Sequence, residues 1–153
     1  MTDASALRSL TATTLQLAAT VVAGTFLLVG VLGFIPGITT GYDSMTFAGH
    51  ESNAQLLGIF QVSILHNIVH LLFGIAGLVL ARTWNGARAY LIAGGAIYLV
   101  LWIYGLAIDH ESAANFVPLD DADNWLHLVL GAGMLALGLA LGRTPRSGNH
   151  IAH

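Results

Sequence analysis

Residues 65–81 read LHNIVHLLFGIAGLVLA, an apolar run without a single charged residue. This run belongs to one of four windows that contain no Asp, Glu, Lys or Arg, which are residues 9–42, 52–81, 89–108 and 124–142. About 20 apolar residues in a helix cross the hydrocarbon core of a bilayer, and each window reaches or approaches that length. The sequence therefore predicts an all-α fold, an integral membrane four-helix bundle.

The composition excludes several classes of protein. Of the 153 residues, 56% are hydrophobic and only 8% are charged, which is not the balance of a soluble domain with a solvated surface. The chain has no cysteine, so disulfides, iron–sulfur clusters and thiol catalysis are ruled out. The net charge of −3 and the lack of a basic patch give no reason to expect a nucleic acid partner. No catalytic triad order or phosphate loop is present, and we expect no enzyme.

The predicted spans form one membrane domain, residues 14–143. They cover about residues 14–34, 63–82, 89–109 and 124–142. Outer loops at about 35–62 and 110–123, with polar tails at 1–13 and 144–153, complete the chain.

The second window is longer than one span needs. A helix over residues 53–81 would be about 43 Å long, against about 30 Å of hydrocarbon. Either this helix tilts or projects beyond the bilayer, or residues 53–62 form a separate interfacial helix on the outer side. The polar residues Asn53, Gln55 and Gln61 keep the second alternative open.

The charges predict the orientation. With four spans, all arginines fall on one side of the membrane, namely Arg8, Arg82, Arg88, Arg143 and Arg146. Seven of the eight acidic residues fall on the other side. The positive-inside rule makes the arginine side cytoplasmic. We therefore expect a multi-pass protein of the bacterial cytoplasmic (inner) membrane with both termini inside the cell.

Two polar phrases recur within the apolar windows, Asn67-Ile68-Val69-His70 and Asn124-Trp125-Leu126-His127. When the two phrases are aligned with each other, the second span matches the fourth and Gly74 is aligned with Gly131. A second alignment, counted from the cytoplasmic arginines, matches His66 with His127 at one depth and leaves His70 one turn deeper. Both alignments predict two similar helical hairpins, a parallel repeat about an axis along the membrane normal.

The chain resembles a family of small four-span bacterial membrane proteins, domain of unknown function 4383. The resemblance extends over roughly residues 26–142 and implies an architecture but no activity. It rests on Gly30-Val31-Leu32-Gly33-Phe34-Ile35-Pro36-Gly37, Phe47-Ala48-Gly49-His50-Glu51, Leu65-His66-Asn67-Ile68-Val69-His70-Leu71-Leu72-Phe73-Gly74 and Asp123-Asn124-Trp125-Leu126-His127.

The histidines allow a cofactor site. His66 and His70, four residues apart, share a helix face and can present two imidazoles to one metal, and His127 could supply a third ligand. Alternatively, one histidine of the second span and His127 could ligate haem b from both sides. In the outer loops, His50 with Glu51 and His110 with Glu111 are weaker candidates for metal ligands.

The structural alternative is a polar seam. Asn67 and Asn124 would hydrogen-bond with the histidines across the second and fourth spans, while Gly74 and Gly131 let the backbones approach. The leading expectation is a non-enzymatic membrane component with this seam. Its partners would be the lipid bilayer and either copies of itself or a larger membrane complex.

Overall fold

The structure is a computed structural model that describes residues 13–143. The predicted tails, apart from Thr13, lie outside the described residues. Four helices form the bundle: α1 (Thr14–Leu32), α2 (Ile64–Leu80), α3 (Trp84–Ala107) and α4 (Asp121–Leu141).

Three of these helices, α1, α3 and α4, are long and apolar enough to cross a membrane. The remaining helix, α2, has 17 residues and is therefore only about 26 Å long. Helices α3 and α4 begin earlier than the expected spans, since Thr83 and Asp120 cap them with their side chains. Every helix carries strongly exposed apolar side chains, such as Leu17, Leu72, Val100 and Val129. These side chains suit contact with lipid and not with water.

A small antiparallel sheet at one end of the bundle departs from the all-α prediction. It has the strand order β1 (Thr39–Thr40), β2 (Ala54–Leu56) and β3 (Phe60–Val62). Its buried side chains, Ala54, Leu56 and Val62, pack with Val29 and Leu32 near the end of α1.

The segment at residues 53–62 is a β-hairpin, where the sequence suggested a long helix or a separate interfacial helix. Burial alternates along β2, because Ala54 and Leu56 are buried and Gln55 is exposed. The turn between the strands is made by Leu57 and Gly58, which both have positive φ angles, of 56° and 71°. Two such residues form the tight turn whose twist matches paired strands, and they end any helix.

The helices pack most closely in the pairs α1–α2 and α3–α4. Helices α2 and α4, which carry the histidines, are not among the closely packed pairs. Buried residues of the central core include Phe26, Leu91, Tyr98 and Met134. The two histidine helices therefore belong to different closely packed pairs.

Candidate functional site

His66, His70 and His127 line one cavity of about 130 Å³ at the sheet end of the bundle. All three side chains are buried. Tyr98 of α3 and Phe116 of the loop before α4 also line this cavity. The structure thus brings together the three histidines that the sequence singled out.

Hydrogen bonding fixes the ring orientation of His66. Its Nδ1 lies 3.1 Å from the carbonyl oxygen of Gln61, and its Nε2 lies 2.9 Å from Nε2 of His70. A carbonyl oxygen only accepts, so Nδ1 of His66 carries a proton and donates it. In a neutral ring, Nε2 of His66 then accepts a hydrogen bond from Nε2–H of His70.

This assignment leaves Nδ1 of His70 as an acceptor. Nδ1 of His70 and Nδ1 of His127 are both buried and have no hydrogen-bond partner among residues 13–143. His70 also borders a second cavity of about 150 Å³, whose other lining residues are mostly apolar and come from α1 and α4. The ring of His70 therefore stands between two cavities.

Two of the buried histidines, His70 and His127, each contact an aromatic ring edge-on. His70 meets Phe26 of α1 at a centroid distance of 5.5 Å, and His127 meets Tyr98 of α3 at 5.0 Å. Edge-to-face contacts at these distances are favourable and hold the ring planes in place. Both imidazoles are therefore oriented by packing.

The two asparagines do not hydrogen-bond across the expected seam. A Cβ atom added at Gly33 would collide with the side-chain amide of Asn67, and one added at Gly105 would collide with that of Asn124. Each asparagine thus fills the space over a glycine of the neighbouring helix in its own hairpin. Nδ2 of Asn67 approaches only the sulfur of Met45, at 3.9 Å, and Oδ1 of Asn124 has no partner in the described part of the chain.

The glycines of the predicted seam also face their own hairpin. Gly74 packs against Ala23 and Leu27 of α1, and Gly131 packs against Gly95 and Leu99 of α3. The close backbone approach is therefore within each hairpin, and not between the second and fourth spans.

Sequence reasoning missed the contribution of Gln61. Its backbone N–H lies 3.2 Å from Asp120 Oδ2 and 3.1 Å from Asp123 Oδ2, while its side-chain amide donates to the carbonyls of His50 and Ser52. The carbonyl of Gln61 accepts from His66. Gln61 therefore joins the sheet to α2, to the start of α4 and to the loop between β1 and β2.

Asp123 was expected in an outer loop but lies buried in the first turn of α4. Its N–H bonds to Asp120, and its carboxylate reaches back to the N–H of Asp120, which is a reciprocal capping box. This spacing of two acids was visible in the sequence. The contact with Gln61 was not, because 62 residues separate the partners.

The metal-ligand candidates of the two predicted outer loops are half-buried or exposed. His50 and His110 are half-buried, and Nε2 of His110 donates to the carbonyl of Gly105. Glu51 and Glu111 are exposed. Within residues 13–143, no group of three or more histidine or acidic side chains is arranged to hold a metal ion.

The polar residues of α2 and α4 keep the same spacing from their helix caps. Asn67, His70 and Gly74 follow the cap Ser63 at the same intervals at which Asn124, His127 and Gly131 follow the cap Asp120. By this measure His127 corresponds to His70, and His66 corresponds to Asp123. The helix caps thus favour the alignment that matches His70 with His127 over the alignment that is counted from the arginines.

No curated protein and no solved structure matches this sequence. A family model does match, over residues 16–140, and it describes a domain of unknown function. The match extends from the first turn of α1 to the last turn of α4 and so includes all the buried histidines and asparagines. The chain therefore belongs to the family of domain of unknown function 4383 (DUF4383).

Proposed function

We propose that this protein is a non-enzymatic component of the bacterial cytoplasmic membrane, in which the buried polar residues fix the positions of the helices. The observation that carries this proposal is the bonding of His66. Its ring joins β3 to α2 through Gln61 and reaches the next turn of α2 through His70. A buried polar group with such partners stabilises one arrangement of the chain, since any other arrangement leaves it unpaired.

The membrane arrangement that we propose has four spans, with both termini on the cytoplasmic side. The arginine distribution supports this orientation. The equal spacing of polar residues after Ser63 and Asp120 supports a parallel repeat of two hairpins. The exposed apolar faces would be covered by lipid, by further copies of the chain or by a larger membrane complex.

Replacing His66 with alanine tests the structural role. The variant leaves the Gln61 carbonyl and Nε2 of His70 without their partner, so we expect a loss of about 1–3 kcal/mol in the free energy of unfolding. The measurement is unfolding in mixed micelles with increasing dodecyl sulfate. His50→Ala serves as the control, because the hydrogen bond at this residue uses only its backbone carbonyl. Equal stabilities of the two variants would contradict the proposal.

A second candidate function, binding of a metal or haem b, is favoured by one specific observation. The Nε2 atoms of His66 and His70 point at each other at 2.9 Å, and Nδ1 of His66 donates to a backbone carbonyl, as metal-ligating histidines do. The cavity beside them, about 130 Å³, is near the size of an engineered cavity of about 150 Å³ that binds benzene. A haem between His70 and His127 would thus require the helices to move apart.

The optical spectrum and metal content of the purified protein separate the two functions. If the buried histidines have only a structural role, we expect no Soret band and no bound transition metal. The wild type and His127→Ala should then have the same spectrum. A Soret band that disappears in His127→Ala, or a stoichiometric metal that disappears in His66→Ala, would overturn the structural proposal and establish the second function.

A further inference from the structure

The turn of the β2–β3 hairpin exposes apolar side chains. We define the hairpin tip as Leu57, Gly58 and Ile59. The side chains of Leu57 and Ile59 are 61% and 52% exposed, although the sheet has a buried face available. The surrounding window, residues 52–81, has no charged residue. In water, a turn is usually built from polar residues, so this tip is unusual for a solvated loop.

The N–H groups of the hairpin tip are all hydrogen-bonded within the protein. The N–H of Leu57 donates to the carbonyl of Ile38 at 2.9 Å. The N–H groups of Gly58 and Ile59 donate to the carbonyls of Gln55 and Leu56 at 3.2 and 3.1 Å. Pairing of these N–H groups lowers the cost of placing the turn at the edge of an apolar medium, because lipid offers them no partner.

The position of the hairpin places the tip beside the apolar end of the bundle. The sheet packs on Val29 and Leu32 of α1, and the hydroxyl of Thr39 in β1 donates to the carbonyl of Leu32. Strand β3 leads directly into α2 through Ser63. Since α2 is about 26 Å long and a hydrocarbon core is about 30 Å thick, an apolar layer that begins at the far end of α2 would extend to the level of the strands.

Leu57 occupies a backbone conformation that favours glycine or asparagine. Its φ angle of 56° lies in the left-handed region, where a leucine is strained. Turns of this kind ordinarily have Asn or Asp before the glycine. A leucine in this strained position, with its side chain exposed, indicates that the apolar side chain itself has a use.

We propose that the hairpin tip is a membrane anchor that inserts Leu57 and Ile59 into the leaflet at the sheet end of the bundle. The anchor lies at the boundary of headgroups and acyl chains. It makes up the difference between the length of α2 and the thickness of the hydrocarbon core. Because Gln61 joins this hairpin to His66, the anchor also holds His66 at a fixed depth in the membrane. The proposal depends on the membrane placement of the bundle but not on the role of the histidines.

Spin labelling tests the anchor, and the chain is suited to it because it has no cysteine. The variant Leu57→Cys carries a nitroxide label in vesicles of phosphatidylcholine and phosphatidylglycerol. Collision rates are measured with oxygen, which concentrates in lipid, and with a water-soluble nickel chelate. Val100→Cys, on an exposed face of α3, gives the lipid reference, and Asp43→Cys, in an exposed loop, gives the water reference.

We expect oxygen collisions to exceed nickel collisions at residue 57, by a smaller ratio than at residue 100, because the tip lies at the boundary of headgroups and acyl chains. Ile59→Cys should give the same result if replacing Leu57 disturbs the turn. Behaviour like that at residue 43 would overturn the anchor, and so would protection from both reagents, which would indicate a protein partner on the tip. Aqueous behaviour at residue 100 would instead reject the membrane placement on which the anchor depends.

Discussion

Replacing Gly33 with alanine is expected to lower the free energy of unfolding by about 1–3 kcal/mol, the usual cost of forcing extra volume into a packed interior. Gly33 has ordinary helical backbone angles, so alanine is not excluded by conformation. The added Cβ would instead collide with the side-chain amide of Asn67. Unfolding in mixed micelles measures the effect.

Two further variants make this prediction specific. Gly24→Ala lies on the same helix with no atom within 4 Å of the new Cβ, so it should be neutral or stabilise by up to about 1 kcal/mol through helix propensity. Asn67→Ala in the Gly33→Ala background should restore most of the loss, because the collision involves a side chain that can be removed. A loss of stability that is unchanged in the double variant would show that Asn67 does not occupy this space.

Replacing Gly95 with alanine is expected to cost about 3 kcal/mol or more, at the upper end of overpacking effects. The new Cβ would lie 2.8 Å from the carbonyl oxygen of Gly131 and 2.8 Å from the backbone nitrogen of Leu135. Both are backbone atoms of α4, so relief requires α3 and α4 to separate along their length. Unfolding in mixed micelles and near-ultraviolet circular dichroism measure the effect.

The control for this second variant is Gly133→Ala, which lies on α4 and has no atom within 4 Å of the new Cβ. We expect it to leave stability within about 0.5 kcal/mol of the wild type or slightly above it. Leu135→Ala should rescue Gly95→Ala only in small part, because it removes the Leu135 Cγ at 2.8 Å but leaves the two backbone atoms in place. Full rescue by Leu135→Ala would mean that the two helices are less closely packed than the structure shows.

The four helices were predictable from the sequence because lipid imposes a simple requirement. A window without charge that is long enough to cross the bilayer has to satisfy its backbone internally, and a helix does so from local residues alone. Burial of the histidines follows from a related requirement, since an imidazole exposed to lipid would lack a partner. His66, His70 and His127 are all buried.

Other features could not be predicted, because they depend on partners distant in the chain. Nothing near Asn67 indicates that it packs on Gly33 of another helix. Similarly, the bond from Gln61 to Asp123 joins residues that are 62 positions apart. The hairpin at residues 53–62 was missed because Leu57 adopts a left-handed conformation that its residue type disfavours.

The sequence by itself thus determined the apolar helices, the buried position of the histidines and the family, since these follow from local composition and from recurring short motifs. Tertiary structure decided which atoms the polar groups meet. The apolar windows contain many glycines, and the sequence does not mark which of them will contact an asparagine side chain. The pairing of α1 with α2 and of α3 with α4 brings Asn67 against Gly33 and Asn124 against Gly105. The orientation of the His66 ring is likewise determined by the sheet, which brings the carbonyl of Gln61 to the start of α2 and so fixes the proton on Nδ1 of His66.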